Sequence, residues 1–150
     1  MSSIVCTIEI ARPPGEVFAY ATDPSRFAEW QRDVVSVRNA GDGPNGAYGK
    51  GSRFTTVRRI GGSERTMTQE ITEVTPSRSW AAHGVDGPIR PNAGVSVEPV
   101  DDGAGSRATF TFDFEGEGIG VLLLPLVRKM TAKGAPASLR NLKALLESGD

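Results

Sequence analysis

Over residues 3–11 apolar and polar positions alternate. Ile4, Cys6, Ile8 and Ile10 fall on one side, and Val5, Thr7 and Glu9 on the other. Period two predicts a strand with two distinct faces. Pro13-Pro14 ends it, and proline suits the first turn of a helix, where its missing N–H has no partner to lose. A short helix is therefore expected over Glu16-Val17-Phe18-Ala19-Tyr20. Asp23-Pro24 starts a second one, with Asp23 as cap and Pro24 in the first helical position, and it carries Phe27 and Trp30. Strands are expected next at 33–39, 52–60, 65–75, 78–84, 92–100 and 106–115. Gly61-Gly62, Thr75-Pro76-Ser77 and Asp101-Asp102-Gly103 supply turns between them, which describes an antiparallel meander. After Ile119 the apolar period lengthens to that of a helix. Leu122, Leu123, Leu126, Val127, Met130, Leu139, Leu142, Leu145 and Leu146 mark one long element over 121–146. Pro125 and Pro136 lie inside it, and each removes a helix hydrogen bond, so the helix is expected in two or three pieces.

Residues 41–51 interrupt the strands with five of the chain's 18 glycines, together with Pro44 and Asn45, and read as a loop within one domain. The chain has 150 residues, a length that fits one domain spanning 1–150. Its 17 basic and 18 acidic side chains give a net charge of −1, which argues against nucleic acid as the main partner. The single Cys6 excludes an internal disulfide framework and a Cys-rich metal site. No apolar run approaches a membrane span, and residues 1–5 carry no secretory pattern, so no integral membrane association and a cytoplasmic setting are expected. The layout is α+β. A long sheet must bury one face, and the C-terminal helix is its only large amphipathic partner. One helix cannot fill the hollow of a curved seven-stranded sheet, so the pattern favours a cavity between them.

Several stretches also carry a family likeness. Ile8-Glu9-Ile10-Ala11-Arg12-Pro13-Pro14-Gly15-Glu16-Val17-Phe18 is similar to an opening strand and first helix, and Asp23-Pro24-Ser25-Arg26-Phe27-Ala28-Glu29-Trp30 to a second helix with its tryptophan. Gly49-Lys50-Gly51-Ser52-Arg53-Phe54, Glu73-Val74-Thr75-Pro76-Ser77-Arg78-Ser79-Trp80 and Leu139-Arg140-Asn141-Leu142-Lys143-Ala144-Leu145-Leu146-Glu147 follow in order. Together they resemble the START-like (helix-grip, SRPBCC) superfamily, in its bacterial polyketide cyclase/dehydrase and lipid-transport branch. The resemblance covers the whole chain. It implies a seven-stranded curved antiparallel sheet around a long C-terminal helix, with two short helices between strands one and two. These are scaffold motifs and carry little chemistry. The superfamily includes lipid and sterol carriers, hormone-binding proteins, aromatic polyketide cyclases and co-chaperone-type activators.

Candidate site residues follow from the faces. Phe110, Phe112 and Phe114 stand at period two and form either a cavity wall or ordinary core against the helix. Phe54, Thr56, Arg58 and Ile60 share a strand face, so an inward Phe54 brings Arg58 inward too. A buried arginine needs a partner. Arg58 could hold a ligand carboxylate, polarise a keto group, or pair with an acid such as Glu73. The next strand carries Met67, Gln69 and Ile71 on that face, and Gln69 is either a ligand-orienting amide or a structural one. His83 is the only histidine, so histidine acid–base chemistry would rest on it. It stands three positions from Trp80, on the opposite face. Gly41-Asp42-Gly43-Pro44-Asn45-Gly46 matches GxGxxG, but no helix start follows to aim at a phosphate, so it reads as a plain loop. The apolar stretch 119–127 exceeds one buried stripe and could rim a cavity, touch a membrane surface or form a dimer. Glycines 116, 118 and 120 would leave the helix start adjustable, and the remaining helix cations would form a solvated face.

The expected function is binding, and in one version transport, of a small hydrophobic ligand such as a lipid, polyketide or aromatic compound. Trp30, Phe54, Arg58, Met67, Gln69, Trp80, Phe110, Phe112, Leu123, Val127 and Met130 are the expected ligand-binding residues. No metal or cofactor is expected, and the protein is expected to be a monomer or homodimer. Two alternatives stay open. One is a cyclase/dehydrase-type enzyme in the same cavity, with Arg58 or His83 as candidate catalytic groups. The other is a co-chaperone-like interaction protein with a closed, filled core.

Overall fold

The computed structural model describes residues 4–38, 50–60, 62–86 and 88–148. The GxGxxG stretch, Gly61 and Asp150 lie outside them. Strand β1 (Ile4–Ile10) is followed by helix α1 (Pro14–Ala21), a 3₁₀ turn (Pro24–Arg26) and helix α2 (Phe27–Trp30). Pro14 occupies the first turn of α1, and the Asp23 carboxylate accepts the Ser25 N–H at 3.0 Å, which caps the 3₁₀ turn. Strands β2 (Val34–Arg38), β3 (Arg53–Ile60), β4 (Ser63–Thr75), β5 (Ser79–Asp86), β6 (Ile89–Val100) and β7 (Gly105–Gly116) come next, then helix α3 (Gly120–Ser148).

The seven strands form one antiparallel sheet in the order β1-β7-β6-β5-β4-β3-β2. It is a meander whose first strand closes against its last, and it curls into a half-barrel around α3. Register shifts in β4, between Thr68 and Gln69 and between Ile71 and Glu73, add local twist where the sheet bends. The β3–β4 hairpin is tight: Ile60 faces Ser63, and Gly62 takes φ +85°. A side chain there would be strained, which is why glycine suits the position.

Helix α3 runs unbroken through Pro125 and Pro136, so the expectation of two or three pieces is corrected. Each proline leaves one carbonyl of the preceding turn without its amide partner. Both prolines lie on the exposed side, where solvent can take up that carbonyl. Packing of the opposite stripe, Leu124, Val127, Ala135, Leu139 and Leu142, outweighs the loss.

The start of α3 also departs from expectation. A Cβ on Gly120 would lie 1.8 Å from the Pro88 carbonyl oxygen, and one on Gly116 2.7 Å from the Val121 nitrogen. These glycines permit close backbone contact and pin the helix start. At the far end, Lys143 Nζ donates to the Glu9 carbonyl at 2.8 Å, and the Ala11 N–H donates to the Glu147 carboxylate at 2.8 Å. Lys143 is therefore part of a tether, and Arg128 donates to the Phe114 carbonyl at 3.2 Å. Lys129, Lys133 and Arg140 are exposed, as expected of a solvated face.

Buried apolar side chains form two clusters. The larger holds Phe18, Phe27, Trp30, Phe54, Trp80 and Phe110 with aliphatic neighbours including Leu139 and Leu142. The smaller holds Met67, Ile89, Phe114, Leu124 and Val127. Phe112 is half-buried and packs against both.

Candidate functional site

Between the two clusters the half-barrel is not filled. A cavity of about 450 Å³ lies under the N-terminal half of α3, with walls drawn from both clusters. Volumes of several hundred Å³ are typical of small-molecule sites. Phe110, Phe112 and Phe114 all line it. They do so because period-two spacing puts all three on the concave face of β7. Trp30 comes from α2, Trp80 from β5, and Val127 and Met130 from α3. Trp30 is held in place from the helix side: Asn141 Nδ2 donates to its carbonyl at 3.4 Å, and the Arg32 N–H donates to Ser138 Oγ at 3.1 Å.

Met67 and Gln69 line the cavity from β4. Gln69 is 2% exposed, and its Nε2 donates to the Pro91 carbonyl at 3.1 Å, two strands away. Gly84 lies opposite Gln69 on the intervening strand β5. A Cβ there would stand 2.7 Å from the Arg90 Cα, so glycine lets β5 and β6 approach closely. The Gln69 Nε2 donor is thus engaged within the sheet, while the side chain also lines the cavity.

Arg58 lines the cavity with its side chain 16% exposed. Its Nη1 donates to Gln31 Oε1 at 3.0 Å and to the Asp33 carboxylate at 3.1 Å. The partner is therefore Asp33 and not Glu73. Val34 faces Arg58 across β2–β3, which brings Asp33 alongside. On the other flank Arg58 faces Arg65, which leaves Glu73 eight residues further along β4. Glu73 instead accepts from Ser79 Oγ. Arg58 Nε is buried with no partner among the described residues, as are Trp30 Nε1 and Trp80 Nε1.

Three expected residues lie elsewhere. Phe54 is fully buried behind the wall, with its ring centroid 5.6 Å from Phe27 and 6.3 Å from Trp80. Phe27 takes the lining position that Phe54 was expected to hold, because α2 folds over β3 and inserts its ring between Phe54 and the space. Leu123 is half-buried against the smaller cluster and does not line the cavity, since the 3.6-residue period aims Val127 and Met130 there instead. His83 is exposed on the outer face of β5, where it pairs with Glu70 and Asn92. It does not line the cavity. Within 119–127, Leu124 and Val127 are buried, while Ile119, Val121, Leu122 and Leu126 are exposed.

Beyond Arg58 and Gln69 the polar lining was not foreseen. Gln31, Arg32, Asp33 and Arg59 join Arg58 at one end of the cavity, contributed by the end of α2 and by β3. The available signal was the run Gln31-Arg32-Asp33 directly after Trp30, which must turn away from the helix where the wall begins. Of these groups Arg58 is best enclosed, and Asp33 is the only acid among the described lining residues.

The fold agrees with known structures. TTHA0849 from Thermus thermophilus matches with a TM-score of 0.78 at 19% identity, covering 99% of this chain and 100% of that one. The Zhui aromatase/cyclase from Streptomyces sp. R1128 matches with a TM-score of 0.76 at 14% identity, covering 95% and 92%. A START superfamily protein from Mycobacterium smegmatis matches with a TM-score of 0.70 at 15% identity, covering 97% and 94%. At these identities the likeness establishes the helix-grip fold. No curated protein sequence matches this chain. The family model described as polyketide cyclase/dehydrase and lipid transport matches residues 1–147. With that match over nearly its whole length, and with this fold, the chain belongs to the polyketide cyclase/dehydrase and lipid-transport family of the START-like superfamily.

Proposed function

We propose that the protein binds a small hydrophobic molecule in the cavity beneath α3. The observation that carries this reading is an unfilled, aromatic-walled space of about 450 Å³ in a chain that otherwise packs its core closely. Leaving aromatic surface uncovered forgoes roughly 25 cal/mol per Å² of burial, and a ligand recovers it. A filled core, as the co-chaperone reading requires, is not what the cavity describes.

Native mass spectrometry of the purified protein tests the proposal. A bound small molecule should appear in the wild type and be lost in Phe112→Trp, which adds bulk where the two clusters meet the space. If neither sample carries a small molecule and no apolar fluorescent probe enters the wild type, the binding reading fails. The family description also covers cyclases, and the Zhui neighbour is an aromatase/cyclase. A catalytic version of the same site would use Arg58 to polarise a carbonyl and Asp33, the one carboxylate among the described lining residues.

A further inference from the structure

We propose that the outer face of the N-terminal half of α3 is a dimer interface, occupied by a second copy of this chain packed antiparallel across a two-fold axis. The inference is independent of what the cavity holds. Helix geometry sets the face. Leu124, Val127 and Leu139 belong to the buried stripe, whereas Ile119, Leu122, Leu126, Lys129 and Lys133 follow one another at three- and four-residue steps on the opposite side. Alternating steps of that kind form the seam along which two helices pack. Ile119 is 69% exposed, Leu122 79% and Leu126 44%. A single exposed leucine is ordinary. Three apolar side chains in line, on a helix whose other side is already buried, mark a contact surface.

Charge decides which partner fits. Glu115 and Glu117 are exposed just before the apolar part of the ridge, and Lys129 and Lys133 are exposed just beyond it. The two lysines have no ion pair among the described residues. Glu117 meets Arg90 at 3.8 Å with its side chain 65% exposed. The face thus has an acidic end, an apolar middle and a basic end.

Such a face is complementary to itself when turned end for end. An axis between Leu122 and Leu126 sets Leu122 of one copy against Leu126 of the other. At a rise of about 1.5 Å per residue, Lys133 lies about 13 Å to one side of that axis and Glu117 about 10 Å to the other. The lysine of each copy therefore reaches the glutamate of the other, twice by symmetry. A parallel pairing would set lysine against lysine. An anionic lipid surface would meet the two glutamates along with the lysines. The contact runs about 25 Å along the helices, which places it among the smaller specific interfaces and predicts a micromolar dimer. Met130, 36% exposed at the border of the ridge, also lines the cavity, so the second copy would abut the cavity roof.

Sedimentation velocity of the full-length chain from about 1 to about 200 µM at low salt tests the proposal. The wild type should pass from monomer to dimer across that range. Leu122→Glu, at the most exposed apolar position of the ridge, should leave only monomer while keeping the wild-type melting temperature. Lys133→Glu should weaken dimerisation about tenfold, because it makes both symmetric contacts repulsive. The double variant Lys133→Glu/Glu117→Lys should restore it. A wild type that stays monomeric at the highest concentration would overturn the proposal, and flotation of that monomer with phosphatidylglycerol vesicles would give the ridge to a membrane surface instead. A dimer untouched by Leu122→Glu would rule out this face as the interface. Loss of dimer in Lys133→Glu without recovery in the double variant would rule out the antiparallel arrangement.

Discussion

At the scale of single residues the structure separates side chains that look alike in the sequence. Phe54 and Phe112 are both inward aromatics on central strands, yet Phe54 is wholly enclosed and Phe112 borders open space. Phe54→Ala should therefore cost about 3–5 kcal/mol of stability, as for a close-packed aromatic. Phe112→Ala should cost about 1–2 kcal/mol, because part of its surface was never covered by protein. Chemical denaturation of the two variants checks the difference, and equal losses would mean the cavity is not open in solution. Gln69→Leu tests the buried amide. It removes the side-chain donor to the Pro91 carbonyl and should cost about 1–3 kcal/mol. That Arg58 and Gln69 share the concave face was legible from the period-two pattern. Which acid meets Arg58 was not, because the β2–β3 register spans the glycine-rich stretch, whose length gives no pairing rule.

At the scale of elements, α3 is the piece with two jobs. Its C-terminal half closes the larger core through Leu139 and Leu142, and its N-terminal half roofs the cavity through Val127 and Met130. The tether at the C-terminal end is sensitive to pH. The hydrogen bond from Lys143, and then that from the Ala11 N–H, hold the Glu147 carboxyl below its ordinary value of 4.5. A lowered folded-state value contributes stability that is present above 4.5 and is lost as pH falls through the folded value. Glu147→Gln should thus lower Tm at neutral pH, with the gap to wild type closing in strong acid. A gap that is constant across pH would show that the tether does not depend on charge. The prolines of α3 are the sequence signal that misled. Their local cost is real, but a helix docked along its whole buried stripe overrides it. Pro136→Ala, at an exposed site, should restore a backbone hydrogen bond and raise Tm by a few degrees.

At the scale of the whole molecule the sheet and helix make a vessel whose occupancy should stabilise it. A ligand that binds only the folded state adds RT ln(1 + [L]/Kd), or about 2.7 kcal/mol at a hundredfold excess over Kd. A thermal-shift series with dodecanoate should show Tm rising with the logarithm of concentration in the wild type, and little shift in Phe112→Trp. His83 stands exposed on the convex face of β5, away from the cavity, whose described polar lining is arginine, carboxylate, amide and hydroxyl groups.

The amino-acid sequence alone determined the strands, their inward faces, the helix period and the antiparallel order, because each depends on neighbours a few residues apart. It also carried the scaffold motifs of the superfamily. Only the tertiary structure decided which inward side chains border the space and which are wedged behind them, as Phe27 and Phe54 illustrate. It alone decided that Asp33 meets Arg58 and that the Arg58 Nε has no partner among the described residues. Those outcomes depend on how distant segments close on one another, and no local pattern encodes the distance between an α2 ring and a β3 ring across the curl of a sheet.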